Sequence, residues 1–350
     1  METISLARGA PSPDLLPLEE LADCAGTVLG RDGKTILSYG AGAGYTPLRE
    51  LVGEWFQVHP GRVVITNGGL QGLDLLAQTL ARGKPVLCEW PTYDRAYKLF
   101  LRAGASVLVA PVDENGILAD HVEGALIGQP NPAFMYVIPT FQNPTGTTLP
   151  PERRATLVQL AQRRHVAIVE DDPYALVRFE GEPVASLFQY TGKASTYVSS
   201  FSKTISPGLR VGFMILPEAR ADELSAAATD TYITPVLLAQ AVVHEFIRRG
   251  SFEPNLLRVN EQLKRRRDAM LSALEKHFAG ANWVKPEGGY FVWLQLPGLA
   301  DSREILARAE GVAAVPGTEF TAPANCIRLA YSFAAPDEIE TAIQRLSNAV

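Results

Sequence analysis

Ser199-Ser200-Phe201-Ser202-Lys203, followed by Pro207-Gly208-Leu209-Arg210-Val211-Gly212, is the stretch on which the fold and chemistry of this chain turn. An amine where a strand gives way to a loop, hemmed in by small hydroxyls, forms a Schiff base once its pKa is depressed. An arginine seven residues later holds a dianionic phosphate in bidentate fashion. Together they describe a pocket for an aldehyde that carries a phosphate, and pyridoxal phosphate is the biological one. Alone, Ser-x-Ser-Lys describes a solvated lysine, because most lysines are exposed. The weight therefore falls on residues elsewhere in the chain.

At 350 residues the chain exceeds the size at which single cores stop growing, so two domains are expected. The net charge of -6, with no sustained basic face, argues against a nucleic-acid partner. The one basic run, Lys264-Arg265-Arg266-Arg267, lies in a helical pattern and is expected to be a solvated face. No apolar stretch approaches membrane-spanning length, and the start, Met1-Glu2-Thr3-Ile4, has no signal-peptide character. Cys24, Cys88 and Cys326 lack metal spacing, and Cys88 falls in the apolar run Val86-Leu87-Cys88, so no metal is expected. A reduced, cytoplasmic enzyme is the expectation.

Working outward from the lysine, short apolar runs alternate with helical patterns. Strands are expected at Val63–Thr66, Pro85–Cys88, Ser106–Val109, Phe134–Ile138, Val166–Val169, Thr196–Ser199 and Val211–Ile215. A helix is expected over Leu70–Leu80 and another over Pro151–Arg164. This is an α/β pattern: a mostly parallel sheet covered by helices on both faces, with functional groups at the strand ends. From about Thr234 a charge-laced helical stretch runs to Phe278, then strands near Gly288–Leu294 and Cys326–Tyr331, then a helix from Asp337. These read as a smaller α+β domain. The expected division is an N-terminal segment over 1–35, a large domain over 36–240 and a small domain over 241–350.

Several loops at those strand ends carry chemistry. Gly68-Gly69-Leu70-Gln71, where a strand becomes a helix, offers free N–H groups to an anion. Tyr93 in Trp90-Pro91-Thr92-Tyr93 can lie flat on an aromatic ring, and Asn143 in Gln142-Asn143-Pro144-Thr145-Gly146 can donate to a phenolic oxygen. Glu170-Asp171-Asp172-Pro173-Tyr174 places acid at the end of a buried strand, which is costly unless it meets a cation such as a protonated pyridine nitrogen. Asp172 before Pro173 also suits a helix N-cap.

The order Gly-rich turn, Pro-Thr-Tyr, Asn-Pro-Thr-Gly, Asp-Asp-Pro-Tyr, Ser-Phe-Ser-Lys, Pro-Gly-x-Arg-x-Gly resembles the fold-type I pyridoxal-phosphate aminotransferases. The nearest likeness is to the α-aminoadipate/2-oxoglutarate and kynurenine aminotransferase branch, over residues from Ile4 to Leu346. By that resemblance Lys203 forms the Schiff base with the coenzyme and Asp171 pairs with its pyridine nitrogen. Asn143 and Tyr174 bond the phenolic oxygen, and Tyr93 stacks on the ring. Gly69, Leu70, Ser200, Ser202 and Arg210 surround the phosphate. Arg328 clamps the substrate α-carboxylate, beside Asn143, Gly9 and Arg8. Tyr39 reaches the phosphate of a neighbouring subunit, which implies a homodimer with composite sites.

Two departures from the family pattern stand out. Gly68-Gly69-Leu70 stands where Gly-Ser-Gln is usual, so a hydroxyl and an amide are lost. The branch's N-terminal helical extension, with its side-chain-recognising arginine, is not present before Ile4; Arg8 is the available substitute. Motifs for a P-loop near Gly30, a zinc-protease helix near His244, a dinucleotide turn near Gly40 and a penicillin-recognising Ser-x-x-Lys at Ser200 all lack required partners. The expected activity is ping-pong transamination, with Lys203 as general base and acid, from a 2-aminoadipate-like, aromatic or branched-chain amino acid to a 2-oxo acid such as 2-oxoglutarate. The alternatives are a β-lyase or decarboxylase on the same fold, or a non-catalytic sensor of the kind fused to winged-helix modules.

Overall fold

The computed structural model describes residues 3–350. Its centre is an eight-stranded sheet in the order Val63–Thr66, Gly212–Ile215, Thr196–Ser200, Ile168–Asp171, Met135–Val137, Pro85–Trp90, Ser106–Asp113, Gly116–Ile117. The five strands from Thr196–Ser200 across to Ser106–Asp113 pair in parallel. Gly212–Ile215 runs antiparallel to both of its neighbours, and Gly116–Ile117 returns antiparallel at the far edge. Val63–Thr66 and Gly212–Ile215 are buried throughout, as β-branched and apolar runs must be when helices cover both faces, and Ile168–Asp171 is buried as fully although it ends in two acids.

Helices Gly69–Leu76, Asp94–Arg102 and Glu218–Tyr232 pack on one face, through a cluster that includes Leu73, Leu76, Phe100 and Leu224. The other face is covered partly by Pro151–Arg164 and partly by the pair Leu18–Ile36 and Leu237–Arg248. A three-stranded antiparallel sheet, Phe291–Gln295, Cys326–Ala330 and Val315–Pro316, packs against Phe252–His277 and Pro336–Ser347 to form a separate core around Leu274, Val292, Leu329 and Ile343. The N-terminal residues join that unit: Ile4–Ser5 pairs in parallel with Val312–Ala313. Among the described residues no helix is long and apolar enough to cross a membrane.

The structure departs from the sequence expectations in four places. The strand expected at Val166–Val169 runs instead from Ile168 to Asp171, so the acids Glu170 and Asp171 lie inside it. No helix follows Asp172; residues 173–176 form bends and turns, and Asp172 accepts from the Tyr197 hydroxyl at 3.2 Å rather than capping. The helical stretch from Thr234 to Phe278 is two helices, Leu237–Arg248 and Phe252–His277, parted at Gly250, whose φ of +76° suits glycine.

The basic run is not a solvated face. Lys264 and Arg265 are exposed, but Arg266 and Arg267 are buried. Arg266 donates to both Asp14 carboxylate oxygens at 3.0 and 2.8 Å, and Arg267 to Glu180 Oε1 at 2.8 Å and to the Pro286 carbonyl at 2.6 Å. Helical period put two of four consecutive charges on the inner side, where long stems pack and bidentate partners offset desolvation.

Candidate active site

The parallel strands end on one edge, and their C-terminal ends deliver the functional groups together. A cavity of about 440 Å³ lies there, bordered by Asp171, Lys203, Tyr93, Asn143, Tyr174, Ser200, Ser202, Arg210 and Arg328 together with Gly9, Gly69 and Leu70. Twelve of the fourteen residues expected at the site therefore share one space. Arg8 and Tyr39 are the exceptions: Arg8 is exposed with its guanidinium 4.9 Å above the Phe333 ring, and Tyr39 is 85% exposed.

Lys203 follows the strand Thr196–Ser200 in a tight turn. Its Nζ donates to the Gly9 carbonyl at 2.6 Å and stands 5.5 and 5.2 Å from the ring centres of Tyr174 and Tyr290. The Tyr290 hydroxyl donates to the Lys203 carbonyl at 3.0 Å, which fixes the main chain beneath the amine. Burial lowers the Lys203 pKa to about 8; Arg328 and Arg210 push the same way, and Asp171 opposes them. An amine at that value has a minor neutral fraction near physiological pH, far larger than an ordinary lysine has, and that fraction serves nucleophilic chemistry.

Asp171 is the last residue of its strand and is buried. Burial raises its carboxyl to about 7, with the Asp172 charge adding to the rise, while the Tyr136 hydroxyl, 2.6 Å from Oδ2, and Lys203 lower it. A buried acid so poised gains a proton or a cation readily, and it faces the cavity.

The helix Gly69–Leu76 begins at the cavity wall, N-capped by Gly68 at φ +84°. A Cβ on Gly68 would stand 2.3 Å from Arg210 Nη2, so only glycine lets this guanidinium lie across the helix start. Arg210 itself has φ +53° and is held by the Pro207 and Asn67 carbonyls at 3.3 and 3.1 Å. The Ser202 N–H donates to Ser200 Oγ at 3.0 Å, and the Ser200 hydroxyl donates to Ser202 Oγ at 2.7 Å. Helix N–H groups, two hydroxyls and an exposed guanidinium make an anion cup. Gly68→Ala is expected to break it: we predict about tenfold weaker retention of the phosphate-bearing coenzyme on dialysis, since displacing Arg210 weakens a charge-assisted contact and about 1.4 kcal/mol is worth that factor.

Arg328 projects from the strand Cys326–Ala330, 7% exposed. Nη1 donates to Asn143 Oδ1 at 2.9 Å and Nη2 to the Ala7 carbonyl at 2.8 Å, while Nε is buried without a partner. Its Cζ lies over the Phe291 and Phe320 rings, 4.4 and 4.9 Å from their centres. A buried guanidinium with only neutral oxygens around it is an incomplete arrangement. A carboxylate completes it.

This set of groups fits pyridoxal 5'-phosphate: an amine for its aldehyde, an acid for its ring nitrogen, a cup for its phosphate and an aromatic face in Tyr93. Comparison with known proteins decides the family, because the model for aminotransferase class I and II matches residues 3–346. The chain belongs to the class I and II aminotransferases. A 2-aminoadipate transaminase of Thermus thermophilus is 38% identical, over 99% of this chain and 90% of that protein. A solved α-aminoadipate aminotransferase from the same species, complexed with N-(5'-phosphopyridoxyl)-L-leucine, superposes with a TM-score of 0.94 at 36% identity, covering 99% of this chain and 92% of that one. An uncharacterized helix-turn-helix-type transcriptional regulator of Bacillus subtilis is 33% identical over 98% of this chain and 72% of its own length.

This aminotransferase is thus a pyridoxal-phosphate enzyme of fold type I. Three groups at its site were not singled out from sequence. Tyr136 looked like one more apolar-strand residue, yet a buried phenol must find an acceptor, and its register opposite Val169 puts it on the face of Asp171. Phe291 comes from the small sheet and Phe320 from the turn between two of its strands, both far along the chain from the lysine motif. Only the tertiary fold brings them under Arg328.

Proposed function

We propose that this aminotransferase moves the amino group of an L-amino acid with a 2-aminoadipate-like, aromatic or branched side chain to a 2-oxo acid, with 2-oxoglutarate as the acceptor. The observation that carries this reading is the pairing, across one cavity, of a depressed amine at Lys203 with the buried, carboxylate-free guanidinium of Arg328. When bound, pyridoxal phosphate takes up the substrate's amino group and draws the electrons released at Cα into its ring. Asp171 keeps the ring nitrogen protonated, and Tyr93 covers the ring. Arg328 and Asn143 hold the α-carboxylate, which fixes the orientation of the Cα–H bond. Lys203 Nζ removes the Cα proton and gives it back on the other side of the transfer. Holding the carboxylate disfavours decarboxylation, since that bond must otherwise be freed.

We place the enzyme in the cytoplasm as a homodimer. Leu37, Tyr39, Ile233 and Val236 are all more than half exposed, an apolar surface suited to a second copy, and Tyr39 on it is the residue we assign to the partner's phosphate cup. The test is a panel of amino donors against 2-oxoglutarate, with the new oxo acid and glutamate both quantified. We expect equimolar products, fastest with 2-aminoadipate or an aromatic donor. Release of ammonia or carbon dioxide in place of glutamate would establish the lyase or decarboxylase reading, and no turnover with any donor would favour the sensor.

A further inference from the structure

Several acids are buried beside the coenzyme cavity, and most have a partner that explains them. Asp171 has its role above, Asp172 meets Tyr197, and Glu170 accepts the Leu187 and Phe188 N–H groups at a helix start. Glu89, 1% exposed near the end of the strand Pro85–Trp90, has no role yet. Burying a carboxyl is costly, and an apolar side chain would fill the same space without that cost. What Glu89 holds is therefore informative.

Glu89 Oε2 accepts the Ile138 N–H at 2.9 Å and the Gln142 side-chain amide at 3.5 Å. Ile138 is where the chain leaves the neighbouring strand Met135–Val137, and Gln142 immediately precedes Asn143. The Gln142 amide also donates to the Pro91 carbonyl at 2.8 Å, two residues beyond Glu89. Its Oε1 accepts from the Thr145 N–H and hydroxyl at 2.8 and 2.7 Å. Main-chain bonds from Gln142 to the Thr147 carbonyl, at 2.9 Å, and from Gly146 to the Gln142 carbonyl, at 2.6 Å, close the turn. Asn143 has no such anchor of its own. Its Oδ1 meets Arg328, which can only donate, so its amide N–H groups are left for the cavity it borders.

We infer that Glu89 is a positioning residue for aminotransfer: through Ile138 and Gln142 it sets the place of Asn143, and with it the hydrogen bond that Asn143 gives the coenzyme's phenolic oxygen. This rests on the reading of Asn143 as the donor to that oxygen. Burial pushes the Glu89 carboxyl up to about 8, with the Ile138 and Gln142 donors lowering it and the Asp171 charge raising it. Near pH 7 it is chiefly the neutral acid. Both contacts fall on one oxygen, so an amide whose carbonyl takes that place keeps them. A hydrocarbon side chain keeps neither.

The test is the pH titration of the visible coenzyme band in the holoenzyme, which a loss of stability alone would not move. A donor to the phenolic oxygen competes with the proton that this oxygen shares with the Lys203 nitrogen, so its loss moves the titration to higher pH. Asn143→Ala should raise the midpoint by about one pH unit, about tenfold in proton affinity. Glu89→Leu should give a shift in the same direction and of similar size, while Glu89→Gln stays close to wild type. Gln142→Leu removes the same link from its other end and should match Glu89→Leu, which keeps the test open if the latter does not fold. Combined with Asn143→Ala, Glu89→Leu should add nothing further. The inference is overturned if Glu89→Leu or Gln142→Leu binds coenzyme and titrates as wild type, or if the shift adds in full to that of Asn143→Ala. Should Asn143→Ala alone titrate as wild type, the reading of Asn143 beneath the inference fails, and the inference with it.

Discussion

Lys203→Ala is expected to reduce aminotransfer by at least about a thousandfold and to abolish the visible band of the bound coenzyme. Proton transfer by a positioned side chain contributes about 10² to 10⁴ in rate, and loss of the covalent tether adds to that. The protein should still fold, because the lysine makes one hydrogen bond through Nζ, to the Gly9 carbonyl. A variant that retained both colour and turnover would remove Lys203 from the chemistry. The depressed pKa gives a second, independent readout. Capture of coenzyme by the apoenzyme needs the neutral amine, so its rate should climb with pH and level off above about pH 8 rather than above the ordinary lysine value of 10.5. The linkage has a definite sign: the unfolded chain binds this proton more tightly than the folded one, so Lys203 adds to apoprotein stability as pH rises from about 8 toward 10.5. The urea midpoint of wild-type apoprotein should therefore rise relative to that of Lys203→Ala across that range.

The second large effect is expected at Arg328. Arg328→Ala should lower kcat/KM by about two to three orders of magnitude for every amino donor, because losing one partner of a buried carboxylate pair costs about 2–5 kcal/mol. Coenzyme binding should change little, since the phosphate cup at Gly69, Ser200 and Arg210 is separate from it. Arg328→Lys should recover only part of the loss: a lysine cannot keep the contacts to Asn143 Oδ1 and the Ala7 carbonyl while also meeting both oxygens of a substrate. Equal loss with amines that lack a carboxylate would show a structural defect rather than a recognition role.

Much of this site could be read directly from the chain because its parts sit at ends of parallel strands, where sequence order and spatial order coincide. Asp171, Lys203, Asn143 and Tyr93 each follow an apolar run that any period-two or buried-strand reading detects. What sequence missed depended on direction or distance. Arg266 and Arg267 belong to a run of like charges, and which of them face inward is set by where Asp14 and Glu180 arrive from distant segments. Asp172 looked like a helix cap because it precedes proline; the chain instead turns, and its carboxylate meets Tyr197 from the neighbouring strand. Arg8 looked available for a substrate, but Phe333 offers its guanidinium an aromatic face outside the cavity.

The segment Ala7–Ala10 borders the mouth and serves it almost wholly through main-chain oxygens. Ala7 supplies one to Arg328 and Gly9 one to Lys203, while the Ser332 hydroxyl donates to those of Arg8 and Ala10. Carbonyl groups do not depend on residue identity, so this strap has wide mutational latitude at Ala7 and Ala10 but none in length. Shortening it by a single position would misalign every acceptor at once. Gly9 is the exception, since a Cβ there would lie 2.7 Å from the Phe291 ring.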